Sequence, residues 1–144
     1  MIKKVKASYV KESSENFKID QPQLCVDFWK KHIETQECFD EDKEIVVVLC
    51  LDSQSNVKHF NIVSIGTVNE SMAHPRDIFK PAILVSAVQI ILMHNHPSGG
   101  LDPSRADHAI TKKVKEAGTL LQIPLCDHVI VGNGYYSFRE SGHV

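Results

Sequence analysis

Two histidines one residue apart, His94 and His96, are followed by Pro97, a glycine-rich loop, and then Ser104-Arg105-Ala106-Asp107. The run before them, IILM, is apolar and reads as a strand. Side chains alternate across a strand, so positions i and i+2 point to one side and both imidazoles can reach a single metal ion. A carboxylate in the first turn of the following helix, Asp107, supplies a third ligand and leaves a fourth position for water. Two nitrogens and one oxygen with an open position suit one catalytic Zn²⁺, which brings the pKa of water toward about 7. Such chemistry wants a base. Glu44, at the start of an otherwise apolar strand, is the best candidate, because burial would raise its pKa and fit it for proton transfer to a leaving amine. Ser104 could donate to the oxyanion of a tetrahedral intermediate, a role that competes with capping the helix.

Each residue also has an ordinary reading: a surface histidine pair, a capping box, a solvated glutamate. The joint pattern decides between them. With His at roughly 2% and the other fixed types at roughly 5% of average usage, H-x-H-P, six spacers and S-x-x-D arise by chance in fewer than about one such chain in ten thousand.

The positioning elements follow from hydrophobic spacing. Residues Pro22–Phe39 suit an amphipathic helix, and EIVVVLCLD from Glu44 to Asp52 reads as a central strand buried on both faces. Turn residues Ser53–Asn56 lead to a return strand over Val57–Ile65, ended by Gly66. Pro81 fits a first helical turn, and AILVSAVQ continues as a helix apolar nearly all round, hence buried. Ser104 caps a helix running to about Leu121. LCDHVIV, a turn at Gly132-Asn133-Gly134 and YYSF form a closing hairpin. The order α-β-β-α-β-α-β-β predicts an α/β fold with a mixed sheet covered by helices. Residues 1–23 are weakly patterned, with a candidate edge strand over Ile2–Tyr9, and residues 24–144 form the domain.

Three further stretches have two readings each. His74-Pro75-Arg76-Asp77 is either a substrate-facing loop in which Arg76 grips a carboxylate, or a helix start with a surface ion pair. Asp127-His128 is either a pair orienting a metal ligand or structural hydrogen bonding. His108 points about 100° round the helix from Asp107 and is not expected to be a fourth ligand.

Composition narrows the setting. The chain has 144 residues, 42% hydrophobic and 24% charged, with a formal charge of −2; that suits one globular domain. No apolar run approaches the roughly 20 residues of a membrane span. The start shows no secretory signal pattern. The cysteines Cys25, Cys38, Cys50 and Cys126 form no C-x-x-C pair, so a reducing, cytoplasmic setting is expected. The near-neutral charge does not favour nucleic acid, and Lys112, Lys113 and Lys115 read as a solvated helix face.

His94-Asn95-His96-Pro97 through Ser104-Arg105-Ala106-Asp107, with Glu44 upstream, resembles the JAMM (MPN-plus, JAB) metalloprotease motif at every fixed position. The flanking stretches EIVVVLCLD, GTVNES–AHPRDIFKPAI, HNHPSGGLDPSRAD and LCDHVIV look like its bacterial RadC-like branch over about residues 24–140. The resemblance implies a cytidine-deaminase-like three-layer α/β/α fold, one Zn²⁺ on His94, His96 and Asp107, Glu44 as acid and base, and Ser104 assisting the oxyanion. It also implies cleavage of a peptide or isopeptide bond in a peptide or protein substrate. The alternative is a zinc-holding JAB-fold binding module in a DNA-repair or protein complex. Full-length members of that branch carry an N-terminal helix-hairpin-helix-like region, for which the first 20-odd residues here are too few. Deaminase chemistry is not expected, since H-x-E and P-C-x-x-C are missing. An exposed edge strand would favour a homodimer.

Overall fold

In the computed structural model, residues 16–66 and 73–144 are described, and the Ile2–Tyr9 edge strand expected from sequence lies outside them. The centre of the fold is β2 (Glu44–Leu51), buried at every position after Glu44. Its doubly apolar pattern puts one set of side chains on each face. Ile45, Val47, Leu49 and Leu51 pack with Cys25, Val26, Phe28 and Trp29 of the first helix. Val46, Val48 and Cys50 pack on the opposite side with Ile78, Phe79 and Ala82 of the second helix and Ile110 and Val114 of the third.

Among the described residues the sheet has six strands in the order β1-β3-β2-β4-β5-β6, with β1 Phe17–Lys18, β3 Asn56–Gly66, β4 Gln89–Asn95, β5 Leu125–Gly132 and β6 Gly134–Ser137. β2 pairs antiparallel with β3 and β4, whereas β4 and β5 are parallel. A parallel pair needs a crossover, here the helix α3 (Arg105–Leu121). The fold is therefore an α/β arrangement with a mixed sheet. Order begins before residue 24, since β1 pairs with β3 and Ile19 is buried in the first cluster.

Two helices depart from expectation. The first is not one helix over Pro22–Phe39: α1 (Gln23–Phe28) passes into a π turn at Trp29–Ile33. The Glu34 N–H reaches back to the Trp29 carbonyl at 3.0 Å. Between Ile33 and Phe39 the only apolar residue is the exposed Cys38, so a further turn would have little to bury. The second helix, α2, spans Pro75–Leu84. Pro75, not Pro81, holds the first-turn position where a missing N–H costs nothing. Pro81 lies inside and removes a backbone bond. The helix ends three residues later, with Ser86 at a left-handed φ of 55°. AILVSAVQ is accordingly neither wholly helical nor buried: Ile83 is 54% exposed and Val88 49%.

All four cysteines are free, Cys25 and Cys50 among the buried ones; burial pushes both thiols up to about 12. Among the described residues no helix is long and apolar enough to cross a membrane.

Candidate metal centre

The site sits where β2, β4 and α3 meet on the α2/α3 side of the sheet. Ile90 and Leu92 of β4 belong to that side's apolar cluster, so His94, of the same parity, continues the face as it turns polar. His96 follows just past the strand end. On β2, Val46 pairs with His94, and Glu44, two residues earlier, shares its face. Asp107 is the third residue of α3, fixed by a reciprocal capping box. The Asp107 N–H donates to Ser104 Oγ at 3.0 Å, and the Ser104 N–H donates to Asp107 Oδ2 at 2.8 Å.

The geometry brings Glu44, His94, His96 and Asp107 together, with one ligand atom from each lying within 4.8 Å of the others. His94 Nε2 is 3.1 Å from His96 Nε2 and 3.2 Å from Asp107 Oδ1. His96 Nε2 is 3.0 Å from Asp107 Oδ2. Glu44 Oε1 stands further off, 3.7 Å from His94 Nε2. His94 is fully buried and Asp107 nearly so.

Hydrogen bonding fixes what these atoms offer. His96 Nδ1 lies 3.0 Å from the Gly100 carbonyl, which can only accept, so Nδ1 carries the proton and Nε2 is a bare lone pair. His94 Nδ1 is 2.7 Å from His128 Nε2, and His128 Nδ1 is 2.6 Å from Thr111 Oγ1. Two imidazole nitrogens and a carboxylate thus converge, and such a centre needs a positive occupant: a metal ion, or protons on the rings. These four residues could hold a metal ion.

The local field supports charge separation. Burial pushes the Glu44 carboxyl above its ordinary 4.5; His94 opposes the rise and Asp107 adds to it. For Asp107 burial also favours the neutral form, but the hydrogen bond and charge that His94 supplies when protonated, with the Ser104 N–H and His96, hold the carboxyl well below 3.8. Burial, and then the charge of His94, keep His128 well below 6.5 and therefore neutral.

Ser104 is exposed and its oxygen serves the cap as an acceptor. Its O–H remains a donor, so capping and donation use different parts of one hydroxyl. A cavity of about 230 Å³ opens beside His96 between Trp29, Phe39 and Val131.

The other singled-out residues separate cleanly. Arg76 is exposed, with Nε 3.9 Å from Asp77 Oδ1, which is the helix start with a surface ion pair. His108 packs edge-on against Phe138 at 5.2 Å, away from the ligand cluster. Lys112, Lys113 and Lys115 form an exposed helix face. Asp127 and His128 do not act as a pair, because neighbours in a strand face opposite ways. Asp127 accepts from Ser137 Oγ at 2.6 Å and from the Arg139 N–H at 3.0 Å, while His128 alone touches His94.

Sequence reasoning passed over two residues. Thr111 lies one helical turn after Asp107, and that i, i+4 spacing was the available signal. Asn95, between the two histidines, accepts from the Ile45 N–H at 2.8 Å and donates to the Lys43 carbonyl at 3.1 Å. It thereby grips the backbone on both sides of Glu44.

A profile of the RadC-like JAB domain matches residues 19–143. Among curated relatives, a UPF0758 protein of Rubrobacter xylanophilus is 48% identical over 101 residues, covering 70% of this chain and 44% of the relative. A UPF0758 protein of Thermotoga maritima is 47% identical over 110 residues, 76% of this chain and 50% of the relative. UPF0758 protein CT0611 of Chlorobaculum tepidum is 52% identical over 102 residues, 70% and 46% respectively. The chain spans about half the length of the curated relatives it matches.

Proposed function

The chain belongs to the RadC-like JAB domain family, and on that premise we propose that it is a JAMM-type hydrolase of the cytidine-deaminase-like α/β/α class, holding one Zn²⁺ and cleaving a peptide or isopeptide bond. The observation that carries the reading is the convergence of two imidazole nitrogens and a carboxylate, with a half-buried glutamate standing 3.7 Å off. Ligands at about 2.0–2.1 Å around a tetrahedral ion are separated by about 3.3 Å, and the His94, His96 and Asp107 atoms stand 3.0–3.2 Å apart. The residues therefore fit the ion.

His94, His96 and Asp107 would hold it. Bound zinc supplies Lewis acidity, polarising the amide carbonyl and making hydroxide available near neutral pH. Glu44, raised by burial, takes the proton of the attacking water at its carboxylate and delivers it to the leaving amine nitrogen. The Ser104 O–H donates to the oxyanion. The cavity beside His96 receives one side of a peptide or protein substrate.

The test is metal analysis of protein purified without chelator or His tag, with hydrolysis screened across isopeptide, peptide and small amide substrates. Wild type and Glu44→Gln are expected to carry one zinc per chain, and His94→Ala and His96→Ala to lose it. Glu44→Gln is expected to lose about 10²–10⁴-fold in turnover. Zinc indifferent to both histidines would refute the site. Zinc lost in Glu44→Gln would make Glu44 a ligand. Zinc retained with no amide turned over would favour the binding module instead.

A further inference from the structure

We propose that His128 and Thr111 are positioning residues: a path of hydrogen bonds from His94 through His128 and Thr111 to the Asp107 backbone carbonyl fixes the tautomer of His94 and ties the strand ligand to the helix ligand before any ion arrives. The proposal deepens the metal-site reading and rests on it.

The direction of every bond along the path follows from one hydroxyl. Thr111 Oγ1 lies 2.6 Å from the Asp107 carbonyl and 2.6 Å from His128 Nδ1. A hydroxyl has one proton, and a carbonyl can only accept. Thr111 therefore donates to the Asp107 carbonyl and must accept from His128 Nδ1–H. His128 Nε2 is then bare and accepts from His94 Nδ1–H at 2.7 Å. This leaves the His94 Nε2 lone pair facing His96 and Asp107, the only arrangement in which it can ligate.

The surroundings permit no easy alternative. His94 and His128 are both 0% exposed, so water does not compete. Phe138, also fully buried, stacks on the His128 ring at 4.6 Å with 9° between the planes, which prevents the ring from turning. Parallel pairing of Leu92 with His128 brings β5 alongside β4, and one helical turn separates Thr111 from Asp107. Metal-binding histidines commonly donate their second N–H to a carboxylate or carbonyl, and such partners are worth about 10–100-fold in affinity. Here a neutral imidazole and a hydroxyl fill that place and lead back to another ligand.

Thr111→Val keeps the shape and removes the hydroxyl. His128 Nδ1–H then has no acceptor, and moving its proton to Nε2 makes His128 the donor to His94. His94 would in turn carry its proton on Nε2, pointing into the site. The experiment reads imidazole tautomers by ¹⁵N NMR in the metal-free protein at mildly alkaline pH, and Zn²⁺ affinity by chelator competition. Wild type and Thr111→Ser are expected to show His94 protonated on Nδ1. Thr111→Val is expected to shift the proton toward Nε2 and weaken zinc by about 10–100-fold. Ser137→Ala removes a buried hydroxyl bound to Asp127 on the other side of the strand, and is expected to leave both readouts unchanged. An Nε2 proton on His94 in wild type would overturn the proposal outright. Unchanged affinity and tautomer in Thr111→Val, or equal weakening in Ser137→Ala, would also overturn it. Should wild type bind no zinc, the metal reading fails, while the tautomer measurement still decides the hydrogen-bond path.

Discussion

Replacing Asn95 with alanine isolates the alignment of Glu44 from the holding of metal. β3 pairs Glu44 with Gly66 and Ile45 with Ile65 on one edge of β2, but the β2–β4 ladder ends at the pair Val46–His94, so on the β4 side no ladder pair reaches residues 43–45. The Asn95 amide takes over, accepting from Ile45 N–H at 2.8 Å and donating to Lys43 C=O at 3.1 Å. Each bond contributes about 1 kcal/mol net, and more where a buried donor is left unpaired; Ile45 is fully buried. Asn95→Ala should therefore cost about 2–3 kcal/mol in urea unfolding. Loss of about 2 kcal/mol of restraint on that side corresponds to at most roughly a 30-fold drop in the population with Glu44 aligned, at about 1.4 kcal/mol per tenfold, because β3 still holds the other edge. A displacement near 1 Å costs about 10²-fold, so turnover should fall between about tenfold and hundredfold. Zinc affinity, measured by chelator competition, should change by less than about twofold because no ligand moves. Asn95→Asp keeps the acceptor for Ile45 N–H but sets a carboxylate oxygen against the Lys43 carbonyl, and should be no better than alanine. Full turnover in Asn95→Ala despite the stability loss would refute the clamp. Zinc loss as large as in His94→Ala would show that Asn95 acts through the ligands.

Ser104→Ala should lose about 1 kcal/mol of helix capping together with turnover. Ser104→Asp should restore stability but not turnover, and recovery of both would end the oxyanion role. Gly118→Ala places a Cβ 2.6 Å from the Ile123 carbonyl oxygen and 3.3 Å from the Leu125 nitrogen. It should destabilise by about 1–3 kcal/mol in thermal unfolding, outweighing a helix-propensity gain of about 1 kcal/mol. Burial raises the Asp127 carboxyl above 3.8, against hydrogen bonds from Ser137, Arg139 and His128. The folded state then holds this proton more tightly than the unfolded one, so ionising Asp127 costs stability. Wild type should gain on Asp127→Asn as pH falls through the window just above 3.8, and a gap that narrows on acidification would refute the assignment.

Periodic segments were legible in the sequence. β2 is apolar at both parities because helices cover both faces, and α3 shows its cap and stripe together. The expected ligands and base lie close together because strand parity and helix phase are local properties. What escaped depended on competition between like signals. Pro75 and Pro81 both suit a first helical turn, and only tertiary packing of Ile78 and Phe79 selects Pro75. The adjacent Asp127 and His128 looked like a pair in one dimension, whereas the pleat sends them to opposite sides. Asn95 carries no pattern and Thr111 only its i, i+4 spacing from Asp107, since the backbone partners of Asn95 and the His128 ring nitrogen come near only in the folded chain.

The placement of Glu44 on a different strand from the histidines bears on biogenesis. His94, His96 and Asp107 lie on one short stretch, so even an unfolded chain offers a loose chelate for an ion emerging from synthesis. Such capture reduces the stabilisation that metal lends the native state. Hydrolysis is another matter, since Glu44 joins the stretch only once β2 has paired with β4. On the proposed hydrolase reading, then, a half-folded chain would hold metal yet stay inert toward its neighbours.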